Sequence, residues 1–142
     1  MAIASLQETW LTYQTRKNDL LQELSCLQDQ KTLSLSTTAD KQMEKAAAER
    51  EQRNIFKEIY ANDDELQERY LDYTEIPDFE EEIAKIAAQY QNELAEITAW
   101  ETVIDNQITA ITTELEEIEV FMESNKEKLS ANIQEDFDFG VN

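Results

Sequence analysis

The residues that most often carry catalysis are scarce in this chain of 142 residues. Histidine is absent, and Cys26 is the single cysteine. Ser–His and Cys–His nucleophiles, and the Glu-x-x-His ligands of di-iron helical bundles, are therefore excluded. The single glycine, Gly140, rules out a Gly-rich phosphate loop. These residue types predict a protein that is not an enzyme and that uses no cofactor.

Two acidic clusters, at residues 63–65 and 136–138, are the nearest approach to a cation site. Neither has the twelve-residue loop or the central glycine of an EF-hand, so no metal site is predicted. Cys26 has no second cysteine to pair with and lies within a helical pattern, which indicates a small packing residue.

Glu101 stands where an apolar residue is expected in a repeating helical stripe. Two interpretations are open. A buried carboxylate must be paired or protonated, which would make Glu101 a pH-sensitive or specificity position. Alternatively, Glu101 lies at the edge of the stripe and reaches water.

Long helices must position these residues, because the chain contains only one proline, Pro77, and one glycine. Good helix formers dominate most of the sequence. Apolar residues make up 41% and charged residues 31%, a balance typical of narrow apolar stripes on long helices. The sequence therefore predicts an all-α fold, a helical hairpin or bundle forming one elongated domain over residues 1–142.

The first half predicts three helices, at residues 1–33, 39–61 and 63–74. In the first, a heptad stripe with spacings of three and four places one set of side chains on a single face: Ile3, Leu6, Trp10, Tyr13, Lys17, Leu20, Leu24 and Leu27. The Ser/Thr-rich run at residues 32–38 predicts a corner between antiparallel helices, because these residues favour turns and caps.

The second half predicts one very long coiled-coil helix over residues 77–134, starting at Pro77 and with its repeat running from about residue 78 to 133. One seam position repeats every seven residues through Ile83, Tyr90, Ile97, Ile104, Ile111 and Ile118. Its companion carries Ala87, Leu94, Glu101, Ile108, Leu115, Met122 and Leu129. Such a helix buries little against itself, so other helices must cover it. Apolar residues beside the seam widen the stripe and imply more than one neighbour: Ile86, Trp100, Val103, Val120 and Phe121.

The last residues, 135–142, alternate apolar and polar side chains and predict an extended acidic-aromatic tail. Two interpretations are open: a frayed end, or a peptide in which Phe137, Phe139 and Val141 are buried against a neighbouring chain.

Charge is distributed unevenly along the chain, whose net charge is −20. Residues 1–60 carry 8 basic and 9 acidic residues, whereas residues 61–142 carry 4 basic and 23 acidic. Such a surface repels nucleic acid and anionic membranes, so neither nucleic acid binding nor membrane insertion is expected. The acidic half could attract a basic or helical protein, or it could keep the chain soluble. Without an apolar signal segment, the expected location is the cytoplasm, or the cell surface by a route that needs no cleaved signal.

Two stretches resemble a set of uncharacterised helical coiled-coil bacterial proteins. The first is Leu11-Thr-Tyr-Gln-Thr-Arg-Lys-Asn-Asp-Leu20, and the second is Thr109-Ala-Ile-Thr-Thr-Glu-Leu-Glu-Glu-Ile118 with residues 126–133 and Phe137. Together they cover about a third of the chain. The resemblance implies a helical fold and supplies no activity and no site residues.

These observations favour a non-enzymatic structural protein that forms homo-oligomers through its coiled-coil seams, such as the subunit of a filament or surface appendage. The alternative is an acidic adaptor or chaperone for a basic or helical partner. The expected interface residues are apolar and aromatic: Leu6, Trp10, Tyr13, Leu20, Leu24, Leu27, Tyr90, Leu94, Ile97, Trp100, Ile104, Ile108, Ile111, Leu115, Ile118, Phe121, Phe137 and Phe139.

Overall fold

The computed structural model describes the backbone of residues 2–141 and the side chains of residues 2–135. It contains three α-helices: α1 at Ile3–Ala61, α2 at Asp64–Arg69 and α3 at Pro77–Val141. A single 3-10 turn at Tyr73–Glu75 precedes α3. The backbone of residues 2–141 contains no strand, which confirms the predicted all-α class.

Helix α1 runs without interruption through residues 32–38, so the predicted corner and the division into helices 1–33 and 39–61 are wrong. The Ser34 and Thr38 hydroxyls bond to Glu101 of α3, and the Thr37 hydroxyl bonds inside α1. Thr37 donates its hydroxyl hydrogen bond to the Leu33 carbonyl at 2.8 Å, the usual pattern for threonine within a helix. The seam spacing of three and four also continues through Lys31, Ser34 and Thr38, which are at least half-buried.

The linker between the long helices is held by aspartate caps. The Asp63 side chain accepts hydrogen bonds from the Glu65 and Leu66 amides at the start of α2. Asp72 accepts from the Tyr73 amide at 2.7 Å and begins the 3-10 turn. The short helix predicted at residues 63–74 is therefore two elements, α2 and the turn, and α3 begins at Pro77.

The backbone of α3 remains helical as far as Val141, so an extended tail is wrong for residues 135–141. The predicted burial of Phe137, Phe139 and Val141 concerns side chains outside the described residues.

Two compact units can be distinguished in the chain, and the single domain over residues 1–142 stays a prediction. Residues 1–31 and 103–142 form what we call the terminal unit, and residues 32–102 form the linker unit. The core of the terminal unit contains Leu20, Leu115, Ile118 and Met122, each at most 9% exposed. The core of the linker unit contains Phe56, Ile76 and Phe79. The core of the terminal unit lies between α1 and α3, whereas Leu66, Tyr70 and Tyr73 of the linker also pack against the core of the linker unit.

Helices α1 and α3 are antiparallel within each unit. In the terminal unit, Arg16 bonds Glu114, and Lys31, further along α1, bonds Asp105, earlier on α3. In the linker unit, Ser34 bonds Glu101 and Lys41 lies against Glu93. This is the predicted helical hairpin. The long seam of α3 is covered by α1 of the same chain, which is one of the two arrangements that the seam spacing left open.

Candidate interaction surfaces

Most of the predicted interface residues pack inside the hairpin. Five are buried: Leu6, Leu20, Ile104, Leu115 and Ile118. Nine are half-buried on the same seam: Trp10, Tyr13, Leu24, Leu27, Tyr90, Leu94, Ile97, Ile108 and Ile111. Trp100 is 37% exposed and Phe121 is 51% exposed, whereas the side chains of Phe137 and Phe139 lie outside the described residues. The surface available to another chain is therefore built mainly from residues beside the seam.

Glu101 faces α1 and takes part in a polar contact between the helices. Its Oε1 accepts hydrogen bonds from the hydroxyls of Ser34 at 3.3 Å and Thr38 at 3.5 Å. Ser34 itself is 0% exposed. This geometry favours the interpretation of Glu101 as a specificity position. A shift in the alignment of α1 and α3 would separate the Glu101 carboxylate from these hydroxyls and break their hydrogen bonds.

The polar contact at Glu101 belongs to a longer polar stretch of the α1 seam. The stretch carries no large apolar residue and consists of Lys31, Ser34, Thr38, Lys41, Lys45, Ala48 and Gln52. Lys41 Nζ lies 3.3 Å from Glu44 Oε2 and 3.5 Å from Glu93 Oε2. Hydrogen bonding to Glu44, then its charge and that of Glu93, raise the pKa of Lys41. Sequence reasoning missed this stretch because it followed only apolar residues.

Basic residues of α1 are paired with acidic residues of α3 in the terminal unit. Arg16 bonds Glu114 through both of its carboxylate oxygens, at 2.9 and 3.2 Å. The hydrogen bond and the charge of Glu114 raise the pKa of Arg16. Lys17 Nζ lies 3.8 Å from Glu119 Oε1. These pairs are largely exposed, so screening by solvent keeps their contribution to the stability of the hairpin small.

Large apolar side chains remain exposed on the faces beside the seam. On α1 they are Leu11, Leu21, Leu33, Leu35, Met43, Ile55 and Ile59. On α3 they are Trp100, Val103, Val120, Phe121 and Ile133, four of which the sequence predicted to widen the stripe. Isolated exposed apolar residues are ordinary on soluble proteins. Val120 and Phe121 differ because they are adjacent, 67% and 51% exposed, and lie beside grooves.

The terminal unit carries several open grooves. One, about 790 Å³, is bordered by Arg16, Asp19, Glu23 and Cys26 of α1 and by Ala110 of α3, among others. Another, about 560 Å³, lies between Gln7, Trp10, Leu11, Lys126 and Leu129.

Two smaller grooves flank Phe121. One, about 260 Å³, is lined by Thr113, Glu116, Glu117, Val120 and Phe121. The other, about 150 Å³, is lined by Leu6, Thr9, Tyr13, Phe121, Ser124, Asn125 and Lys128. The Phe121 ring stacks on Tyr13 with centroids 5.7 Å apart and an interplanar angle of 14°. Packing against Tyr13 holds the Phe121 ring in place while leaving about half of it in water.

Asn125 is a buried polar residue at a seam position of α3. It is 6% exposed, and its Oδ1 has no hydrogen-bond partner among the described residues. A buried asparagine in a helical seam disfavours other registers at some cost in stability. We therefore assign Asn125, like Glu101, to fixing the alignment of α1 and α3.

Among residues 2–135 no group of three or more Cys, Asp or Glu side chains is arranged to hold a metal ion. The predicted acidic cluster at residues 63–65 contributes the cap of α2, whereas residues 136–138 lie outside the described side chains. Cys26 is exposed and is not the packing residue that was predicted.

Among the described residues, no helix combines the length and the apolar character needed to cross a membrane.

Comparison with protein-family models, curated proteins and solved structures finds no match to this chain. The resemblance to uncharacterised bacterial helical proteins stays a prediction.

Proposed function

We propose that this chain is a non-enzymatic structural protein that assembles with copies of itself through side chains beside its hairpin seam. The observation that carries the proposal is the adjacent exposure of Val120 and Phe121 next to formed grooves. Adjacent apolar residues on a face with concave neighbours are typical of protein–protein contacts, in which aromatic anchors supply most of the binding energy.

The accessible surface supports a partner. It measures 10200 Å² for a chain of 16.5 kDa. A compact monomer of that mass exposes about 7,600 Å². The excess follows from pairing only two long helices, each of which keeps most of its circumference in water. Association with further helices is the direct way to bury more apolar surface at about 25 cal/mol per Å².

Two forms of assembly are open to the chain, a closed bundle and an open filament, and the interface symmetry decides between them. A two-fold contact closes on itself, whereas a head-to-tail contact propagates. A surface appendage or filament subunit needs a propagating contact, and the groove at Trp10, Leu11 and Leu129 is a second surface on which one could form.

Negative-stain electron microscopy of the purified chain at tens of micromolar tests the proposal. We expect regular particles or filaments. A featureless field contradicts an extended filament, and a constant mass of 16.5 kDa in solution contradicts self-association in any form.

A second function, an acidic adaptor for a basic helix, is favoured by the 790 Å³ groove. Its border carries Asp19 and Glu23, and its small residues Cys26 and Ala110 allow a helix backbone to approach. Titration with a basic amphipathic peptide checks this alternative. Binding that Asp19→Lys abolishes would favour the adaptor, whereas equal binding by both chains would argue against it.

A further inference from the structure

The face of α3 around Phe121 has a definite order of charge. Leu115 and Met122 occupy heptad position a of the α3 seam, and Ile118 occupies position d. Phe121 shares position g with Glu114 and Lys128, which lie seven residues before and after it. Glu117 and Ser124 occupy the neighbouring position c. These five residues therefore line one side of α3, beside the seam formed by Ile111, Leu115, Ile118 and Met122. Acidic residues precede Phe121 on this side, and a basic residue follows it.

We infer that a second copy docks antiparallel on this face, with the two-fold axis beside Phe121 and Lys128 of each copy in the acidic groove of the other. The inference rests on the proposed self-association and specifies its geometry. In this arrangement, a residue a given number of positions after Phe121 lies opposite the residue the same number before it. Lys128 of the second copy thus falls opposite Glu114, one helical turn from Glu117.

The 260 Å³ groove fits a lysine side chain. Val120 and Phe121 form an apolar wall for the methylene groups, and Glu117 supplies a carboxylate for the amine. Glu116, at position b, lines the edge of the groove that is farther from the contact. Glu114 already bonds Arg16 through both oxygens, which leaves Glu117 as the acceptor. Within residues 2–135, no ion pair forms at Lys128, Glu116 or Glu117. Docking pairs Lys128 with Glu117 without breaking an ion pair of the hairpin.

The symmetry also separates opposite from like charges. Glu119 and Glu123 would fall opposite each other, but they occupy positions e and b, on the side of α3 away from the contact. The two Phe121 rings meet at the axis, where each already rests on Tyr13 of its own chain. From Glu114 to Lys128 the contact spans about 21 Å of helix at 1.5 Å per residue. An interface of this length belongs to the weak class, and we expect a dissociation constant in the micromolar range.

Charge exchange tests the inference, with dissociation constants measured by sedimentation equilibrium on the full chain. Glu117→Lys and Lys128→Glu should each weaken the dimer about tenfold, because each change places like charges together twice by symmetry. The double variant restores opposite charges and should return to within about threefold of the original affinity. Phe121→Ala should weaken the dimer at least about tenfold, as loss of a central aromatic anchor does.

Two matched controls separate this contact from a change in net charge. Lys126→Glu and Glu123→Lys alter the charge by the same amounts but lie at positions e and b, so both should stay within about twofold of the original affinity. Circular dichroism should show unchanged helix content in every variant. A dimer that is indifferent to all these changes, or a double variant that fails to recover, overturns the docking geometry and leaves self-association standing. A chain that is monomeric at all concentrations overturns both.

Discussion

At the scale of residues, the hairpin depends on a few fully covered side chains and on polar residues that align them. Leu20 is 0% exposed and packs against Leu115, Ile118 and Met122, whereas its neighbour Leu21 is 45% exposed. Ser34, Glu101 and Asn125 contribute little apolar burial. They favour one alignment of α1 and α3, because other alignments would separate these polar groups from their present neighbours. Stability and alignment are thus carried by different residues of one seam.

We expect Leu20→Ala to lower the free energy of unfolding by about 2–5 kcal/mol, the usual range for a buried leucine that leaves a cavity. Leu21→Ala is the matched control and should change it by less than about 1 kcal/mol. Urea unfolding followed by far-ultraviolet circular dichroism measures both. Equal losses from the two variants would contradict the assignment of Leu20 to the core.

At the scale of elements, the central property is the continuity of α1 through a stretch that looks like a turn. The run at residues 32–38 is rich in serine and threonine, yet its hydroxyls bond to the preceding turn or to Glu101. Helix α1 is 59 residues long, and in its polar stretch it contacts α3 through lysine, serine and threonine side chains that lie opposite acidic residues of α3.

Proline at position 36 distinguishes a continuous helix from a corner. Ser36→Pro removes a backbone donor and should destabilise the chain by about 3 kcal/mol, with loss of helical signal. Ser36→Ala should be neutral or stabilise α1 by about 0.5 kcal/mol. Thermal and urea unfolding of the two variants provide the comparison. If Ser36→Pro is as stable as Ser36→Ala, then α1 is not continuous at residue 36 and the corner predicted from the sequence is present.

The sequence alone was sufficient for the helical class, the α3 seam and its start at Pro77, because spacing and the near absence of glycine and proline determine them. It was insufficient for the corner, since serine and threonine bond equally well in turns and within helices. It also could not decide which chain covers the seam. Residues such as Leu24 and Ile111 satisfy the same spacing whether the partner helix is in the same chain or another.

At the scale of the whole molecule, the net charge of −20 opposes any assembly of like chains. Four basic residues of α1 already lie beside acidic residues of α3 within the hairpin: Arg16, Lys17, Lys31 and Lys41. Few basic residues are therefore left to attract another copy. Association depends on apolar contact strong enough to overcome the repulsion, helped by local pairs such as Lys128 with Glu117.

Association should strengthen as salt rises from about 10 to about 150 mM, because the screening length falls from about 30 to about 8 Å over that range. Lowering the pH toward the carboxylate pKa values should act in the same direction, since protonation reduces the net charge. Dissociation constants at each ionic strength check this. Weaker association with added salt would mean that opposite charges across the interface dominate, as expected for the adaptor alternative.

The most direct test of the central claim is the mass of the full chain in solution. We would measure it by light scattering across a dilution series from about one to a few hundred micromolar, a range that covers weak interfaces. If the chain self-associates as we propose, its mass rises with concentration from 16.5 kDa toward at least twice that value. A constant 16.5 kDa at every concentration would contradict self-association, and with it the role assigned to the exposed face at Phe121.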